Sequence, residues 1–352
     1  MIVIGIDPHK RTHTAVAVQR QSGELIAELT VPATAEGSSK LVAWALALAP
    51  ASVFALEDCR HVSGPLERFL LARSLPVVRV PPKLMAGTRR SQRQRGKSDA
   101  IDAAAVARAY LREPGLPPAR LDPQARELKL LSDYRDELVA ERTRLCNRVR
   151  WQLHELGLGA DLPSGSLDRQ RWQKQIQDRL ARLPQTTQIR IVTEQLERIV
   201  ELTRRANKLE REITLRLRKT APALLTLPGC AALTAAKVVA ETGGIERFSD
   251  DAALALHAGV APLDASSGQQ RRHRLNRSGN RQLNCALHRI AVTQGRFHPP
   301  AQTYLARRQA EGKTRREALR CLKRHLARTV YKTLADTAAN TPTPPQPKPA
   351  LT

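Results

Sequence analysis

The chain reads as an α/β domain of ribonuclease-H-like order, followed by a long helical insert and a mainly α-helical C-terminal domain with a helix-hairpin-helix. Three observations predict this class. Over residues 1–115 short apolar strands alternate with helices, and two of the strands end in an acid. Two stretches, near 124–156 and 186–219, are charged, nearly glycine-free and helical in their spacing. From Leu224 onward a Pro-Gly turn between apolar helices opens a region with a large surplus of cations.

Taken in order, residues 2–7 and 14–19 read as strands, 24–32 as a third after the Ser22-Gly23 turn, and 41–48 as a helix. A strand at 52–57, a helix at 64–74 and a strand at 76–80 complete the alternation. A hairpin meander followed by βαβ units is the order of a ribonuclease-H-like fold, and a generic α/β nucleotide-binding domain satisfies the same pattern. Residues 82–97 carry Lys83, Arg89, Arg90, Arg93, Arg95 and Lys97 with no acid, which reads as a loop that grips phosphates. In the insert, Ile199, Leu202, Ala206, Leu209 and Ile213 keep a 3-4-3-4 spacing, and Leu131, Leu138, Leu145, Val149 and Leu156 a looser one. Joined by residues 157–166, the two helices fit an antiparallel coiled-coil arm, and equally an amphipathic pair packed onto a domain. The run from Leu227-Pro-Gly to Lys237 has the shape of a helix-hairpin-helix whose second N-terminus faces a phosphate. The Pro-rich end, 341–349, has the composition of a disordered tail.

A formal net charge of +25 and a pI near 11.0 call for a polyanionic partner, and nucleic acid is the natural one. Between Gly268 and Lys332 seventeen Lys and Arg face two acids, Glu311 and Glu317. No apolar run reaches the roughly 18 residues of a membrane span, and there is no signal-peptide or lipidation pattern, so a cytoplasmic protein is expected. The five cysteines form no C-x-x-C pair and read as free thiols.

The chemistry concentrates in carboxylates. Asp7 and Glu57 end apolar strands, where an α/β sheet exposes the carboxyl ends of its strands. Asp99 and Asp102 lie three apart at a helix start, on one helical face. Four such acids can hold two divalent metals beside a scissile phosphate. The plainer account is that Ser98 caps the helix and the two Asp favour its dipole, and that Asp58 is the acid used in place of Glu57. A second candidate is Ser266-Ser267-Gly268, beside the basic run Arg271-Arg272-His-Arg274 and Arg277. A Ser-Gly pair is ordinarily a turn, yet cations there would suit a serine attacking a phosphodiester.

Taken together, Ile4-Gly-Ile-Asp7-Pro-His-Lys10, Glu57, Lys97-Ser-Asp99-Ala-Ile-Asp102-Ala, Leu227-Pro-Gly229 and Gly259-Val-Ala-Pro262 followed by Ser266-Ser-Gly268 resemble one family. The chain is similar, over roughly residues 1–335, to transposases of insertion-sequence family 110, which are DEDD-type, RNA-bridged DNA recombinases. The resemblance implies a RuvC-like DEDD domain at 1–115, a helical coiled-coil region at 116–220, a transposase domain at 221–335 and a tail at 336–352. It implies that Asp7, Glu57, Asp99 and Asp102 bind Mg2+ and that Ser267 attacks DNA to form a covalent adduct. It further implies donor and target DNA and a structured guide RNA as partners. A composite site shared between subunits gives a homodimer or homotetramer. Arg89, Arg90, Arg93, Arg95, Lys97, Arg271, Arg272, Arg274 and Arg277 are then backbone contacts. The chain departs from the family at Glu57-Asp-Cys-Arg60, where Glu-Ala-Thr-Gly is common, at Ala231 in the Pro-Gly-x-Gly turn, and in having Ser266 beside Ser267. Two other readings keep part of this pattern: a RuvC-like junction nuclease that uses water, and a non-catalytic nucleic-acid-binding protein.

Overall fold

The first strand, β1 (Ile2–Pro8), is apolar and buried along its whole length, so it must lie at the centre of a sheet covered on both faces. The computed structural model of the chain describes residues 2–90, 98–113, 115–159, 161–264, 273–276 and 279–340. The chain divides into two units, Met1–Pro123 with Glu241–Thr352, and Gln124–Ala240.

In the first unit β1 pairs antiparallel with β2 (Thr12–Gln19), which pairs antiparallel with β3 (Leu25–Pro32). On its other side β1 pairs parallel with β4 (Ser52–Glu57), and β4 with β5 (Val77–Val80). The order β3-β2-β1-β4-β5 is the meander-plus-βαβ arrangement the sequence predicts. Between the strands run α1 (Ala35–Leu48) and α2 (Arg60–Leu71). Alternation along β1 sends Ile2, Ile4 and Ile6 to a core with Leu41, Leu66 and Leu70 of these helices.

Helix α1 starts six residues before the sequence expectation, because Thr34 caps it, its hydroxyl accepting from the Gly37 amide at 3.1 Å. A larger correction concerns residues 82–97, expected as a loop. Their first nine residues form α3 (Pro82–Arg90), with Thr88 buried and Met85 packed in a core with Val3, Val16 and Val80 of the sheet. Burying that apolar face supplies what propensity did not. Next comes α4 (Asp99–Arg112), whose Ala103, Ala104, Ala107 and Ala109 pack with Val3 and Val16. Small residues let it come close. A Cβ added to Gly5 would fall 2.7 Å from the Ala107 amide and well inside van der Waals distance of the Ala103 carbonyl.

The second unit is built from α5 (Pro123–Glu155), α6 (Gln170–Ala181) and α7 (Thr187–Thr220). Arg135 pairs with Glu210, Arg198 with Glu141, and Gln188 donates to Glu155, so α5 and α7 run antiparallel. Their apolar stripes are buried in one core that also takes Ile176 and Leu180 of α6. A third helix, absent from the sequence reading, thus completes this core. After α7 come the short α8 (Pro222–Thr226), a turn at Gly229 with φ +79°, and α9 (Ala232–Thr242).

The C-terminal residues of the first unit form α10 (Asp251–His257), a hairpin of β6 (Pro262–Asp264) and β7 (His273–Leu275), and the helices α11 (Arg281–Phe297), α12 (Pro299–Ala310) and α13 (Arg315–Ala339). A capping box closes the start of α13, with Thr314 and Glu317 each bonding the other's backbone amide. Charge is unevenly spread. Residues 281–340 hold thirteen Lys and Arg against three acids, whereas 124–240 hold twenty-two against fourteen. Among the described residues, no helix is long and apolar enough to cross a membrane.

Candidate active site

Asp7 lies at the carboxyl end of β1 and is buried. Glu57 closes β4, one residue beyond the Ile6–Leu56 pair of the parallel register, and is half-buried. Neighbouring parallel strands therefore deliver these two acids to the same end of the sheet. Asp99 opens α4 behind Ser98, whose hydroxyl accepts from the Ile101 amide at 3.3 Å, and it is exposed. Asp102 sits one turn on, buried. Ser98 is thus the N-cap of the plainer account, and the same cap aims the first turn at the end of β1.

Asp7 and Asp99 meet. Their carboxylate oxygens and a ring nitrogen of His9 all lie within 4.8 Å of one another. His9 Nδ1 is 3.7 Å from Asp7 Oδ2, and its Nε2 is 3.9 Å from Asp99 Oδ1. Among the described residues, Glu57 and Asp102 stand outside this group. Burial pushes the Cys59 thiol up to about 11, and the charges of Glu57 and Asp7 add to the shift. A carboxylate oxygen each from Asp7 and Asp99 in reach of one point fits a hard divalent cation, and an imidazole beside them widens the choice of metal. Sequence reasoning assigned no role to His9. Its signal was the Asp-Pro-His spacing, two residues past a strand-end acid.

The second candidate site falls on the C-terminal hairpin. Ser266, Ser267, Arg271, Arg272 and Arg277 lie outside the described residues, as do Arg93, Arg95 and Lys97. Arg89 and Arg90 close α3, and Arg274 is exposed on β7, opposite Leu263. The hairpin's base is rigidly built. Gly279 lies so close to Gly259 that a Cβ on it would fall well inside van der Waals distance of the Gly259 amide, and Gly259 itself, at φ +67°, holds a backbone conformation that L side chains rarely adopt. The Asn280 amide donates to the His257 carbonyl at 2.6 Å, and the Asn276 side chain to the Leu256 carbonyl at 3.3 Å. Asn284 is the hub, its Nδ2 donating to the Ala258 and Gly259 carbonyls at 2.9 and 3.1 Å while its Oδ1 accepts from the buried Lys323 at 2.8 Å. Asn284→Leu is expected to cost about 1–3 kcal/mol, since it strands a buried ammonium, and urea unfolding of the full chain measures it.

Two family models match the chain. A DEDD transposase family model matches residues 4–157, and a model described as transposase IS116/IS110/IS902 family matches residues 221–306. An uncharacterized 44.8 kDa protein of insertion element IS116 from Streptomyces clavuligerus is 26% identical over 98% of this chain and 97% of its own length. Its counterpart in insertion element IS110 of Streptomyces coelicolor is 29% identical over 68% of this chain and 71% of its own. That of IS900 from Mycobacterium paratuberculosis is 26% identical over 96% of both. Among solved structures, T. thermophilus RuvC in complex with Holliday junction substrate matches 34% of this chain and 99% of its own, at 16% identity and a TM-score of 0.27. With matching models at both ends and relatives aligned along nearly the whole length, the chain belongs to the IS116/IS110/IS902 family of transposases.

Proposed function

We propose that this transposase is a DNA recombinase that cleaves and rejoins strands through a covalent serine–DNA intermediate, using Mg2+ and an RNA encoded by its element. The observation that carries the reading is the meeting of Asp7 and Asp99, from a strand end and a helix start, on a sheet of ribonuclease-H-like order. Asp7, Glu57, Asp99 and Asp102 would hold the metal, which when bound neutralises charge on the scissile phosphate. His9, between Asp7 and Asp99, orients the two carboxylates. The Ser267 hydroxyl forms the new bond to phosphorus, the bond from phosphorus to the leaving sugar oxygen breaks, and the hydroxyl proton passes to solvent. Arg271, Arg272, Arg274 and Arg277 would stabilise the added negative charge, and Arg89, Arg90, Arg93, Arg95 and Lys97 would hold backbones near the acids. As the family resemblance implies, the site would be completed between subunits of a homodimer or homotetramer. Base pairing by the RNA would choose the sequence.

The test is to incubate protein, Mg2+, element-end DNA and the RNA from the element's flank, then look on a denaturing gel for protein-linked DNA. A band is expected for the parent chain, lost with chelator and lost in Ser267→Ala with nucleic-acid binding retained. Cleavage with no linked protein would replace this reading with a water-using nuclease. An adduct surviving in Ser267→Ala would remove the serine from the mechanism.

A further inference from the structure

At the foot of the β6–β7 hairpin the described residues enclose a cavity of about 680 Å3. Its walls are the Gly259–Pro262 turn, the residues of β7, and facing positions of α12 and α13. Six cations line it, Arg274, Arg308, Lys313, Arg320, Lys323 and Arg324, against one acid, Glu317. Glu317 keeps its charge, its pKa held down first by hydrogen bonds from the Thr314 hydroxyl and amide at 2.7 and 2.9 Å and then by the nearby charges of Arg320 and Lys313, so five positive charges stay in excess. Arg308 is held by Glu311 at 2.7 Å and Arg324 by Asp251 at 2.8 Å, while Lys323 has only the neutral Asn284 as its hydrogen-bond partner in this network. Among the described residues no ion pair is recorded for Arg274, Lys313 or Arg320, which come from three separate segments and converge on one space. Burial holds the Lys323 and His325 pKa values below their ordinary ones, and neighbouring arginines press both further down. Like charges gathered at this density ask for an anion.

The shape narrows the choice. A concave space of this size takes a short stretch of one strand and excludes a duplex. One wall is aromatic, with Tyr304 and His325 edge to face at 5.0 Å, and ring walls beside cations are how sequence-tolerant single-strand sites are built. β7, the second strand of the hairpin, contributes Arg274 to the cavity. We propose that this cavity is a subsite for a single DNA strand, holding phosphodiesters on Arg274, Lys313 and Arg320 beside the Tyr304–His325 wall. It rests on the recombinase reading above and adds to it a docking place for the strand that the hairpin handles.

The test uses the full chain and fluorescence anisotropy over a range of salt, with labelled oligothymidylate, oligouridylate and a mixed-sequence duplex as probes. Lys313→Gln/Arg320→Gln changes two exposed side chains, and a melting curve matching the parent confirms the fold. On oligothymidylate the double variant is expected to bind more weakly, with a log–log salt slope shallower by about 1.4, twice the roughly 0.7 per phosphate contact of single strands. Binding to the duplex and to oligouridylate is expected to hold. An unchanged slope on oligothymidylate, an equal loss on the duplex, or an equal or larger loss on oligouridylate would overturn the assignment. Asp7→Asn separates the two readings, since it is expected to keep the oligothymidylate slope while losing cleavage. A shallower slope in a chain that never cleaves DNA would leave the subsite standing and remove the recombinase.

Discussion

Asp7→Asn is expected to lower metal-dependent DNA cleavage by roughly a thousandfold, about 4 kcal/mol of transition-state stabilisation, with little change in DNA binding. Asp7 is the buried member of the group, reached by both His9 and Asp99 around one point, so its charge cannot be replaced by solvent. Asn keeps the shape and removes half of the negative charge that Asp7 and Asp99 together present to a cation. Single-turnover cleavage of element-end DNA measures the effect, and near-parental turnover would show that the strand-end acids are structural. His9→Gln is expected to be milder, about 10–100-fold, because His9 acts by orienting the two carboxylates. The same assay run across a Mg2+ titration would show that loss as weaker metal affinity.

Gly5→Ala is expected to destabilise the N-terminal sheet by about 3 kcal/mol and to abolish cleavage with it. Its Cβ would press on the Ala103 carbonyl and the Ala107 amide, which are backbone and cannot rotate away. Relief requires α4 to move off β1, and α4 carries Asp99 and Asp102. Urea unfolding of the variant measures the stability, and recovery of cleavage by high Mg2+ would argue that α4 had only shifted. Ala103→Gly cannot rescue it, since the clash is with a main-chain oxygen that every residue has.

The five strands of the first sheet were legible in the sequence to within a residue or two, β1 and β4 most plainly as continuous apolar runs ended by acids, whereas the three-residue β6 and β7 were not. The long helices α5 and α7 were legible for the same reason, their stripes being regular. Elements that failed to show had their cause elsewhere. Helix α6 presents Gln173, Ile176 and Leu180 to the core from an otherwise polar segment, so its pattern has too few apolar positions to stand out. Helix α3 looked like a cationic loop because its apolar content is slight, and what holds it is Met85, packed with Val3, Val16 and Val80 of the sheet. Asp7 and Asp99 were nominated from position alone and do meet, whereas His9 was not, since a histidine after a strand has many ordinary uses. Gly5 was visible as a residue and not as a requirement, because what makes it necessary is the backbone of a helix nearly a hundred residues later. The cavity under the hairpin has the same character, its cations coming from β7, the turn before α13, and α12 and α13 themselves.

The uneven charge of the two units reaches beyond binding. In residues 124–240 fourteen acids stand against twenty-two cations, and ion pairs such as Arg135–Glu210 and Lys237–Asp136 are met within the unit. Folding α11, α12 and α13 instead brings thirteen positive charges together with three negative ones, so part of what packing contributes is lost to self-repulsion. A polyanion bound to the folded helices removes that repulsion and adds its own linkage, about 2.7 kcal/mol at a hundred times its dissociation constant. Heating the full chain with and without a bound polyanion is then expected to show the free protein unfolding at the lower temperature, the charge written into three helices making stability follow occupancy.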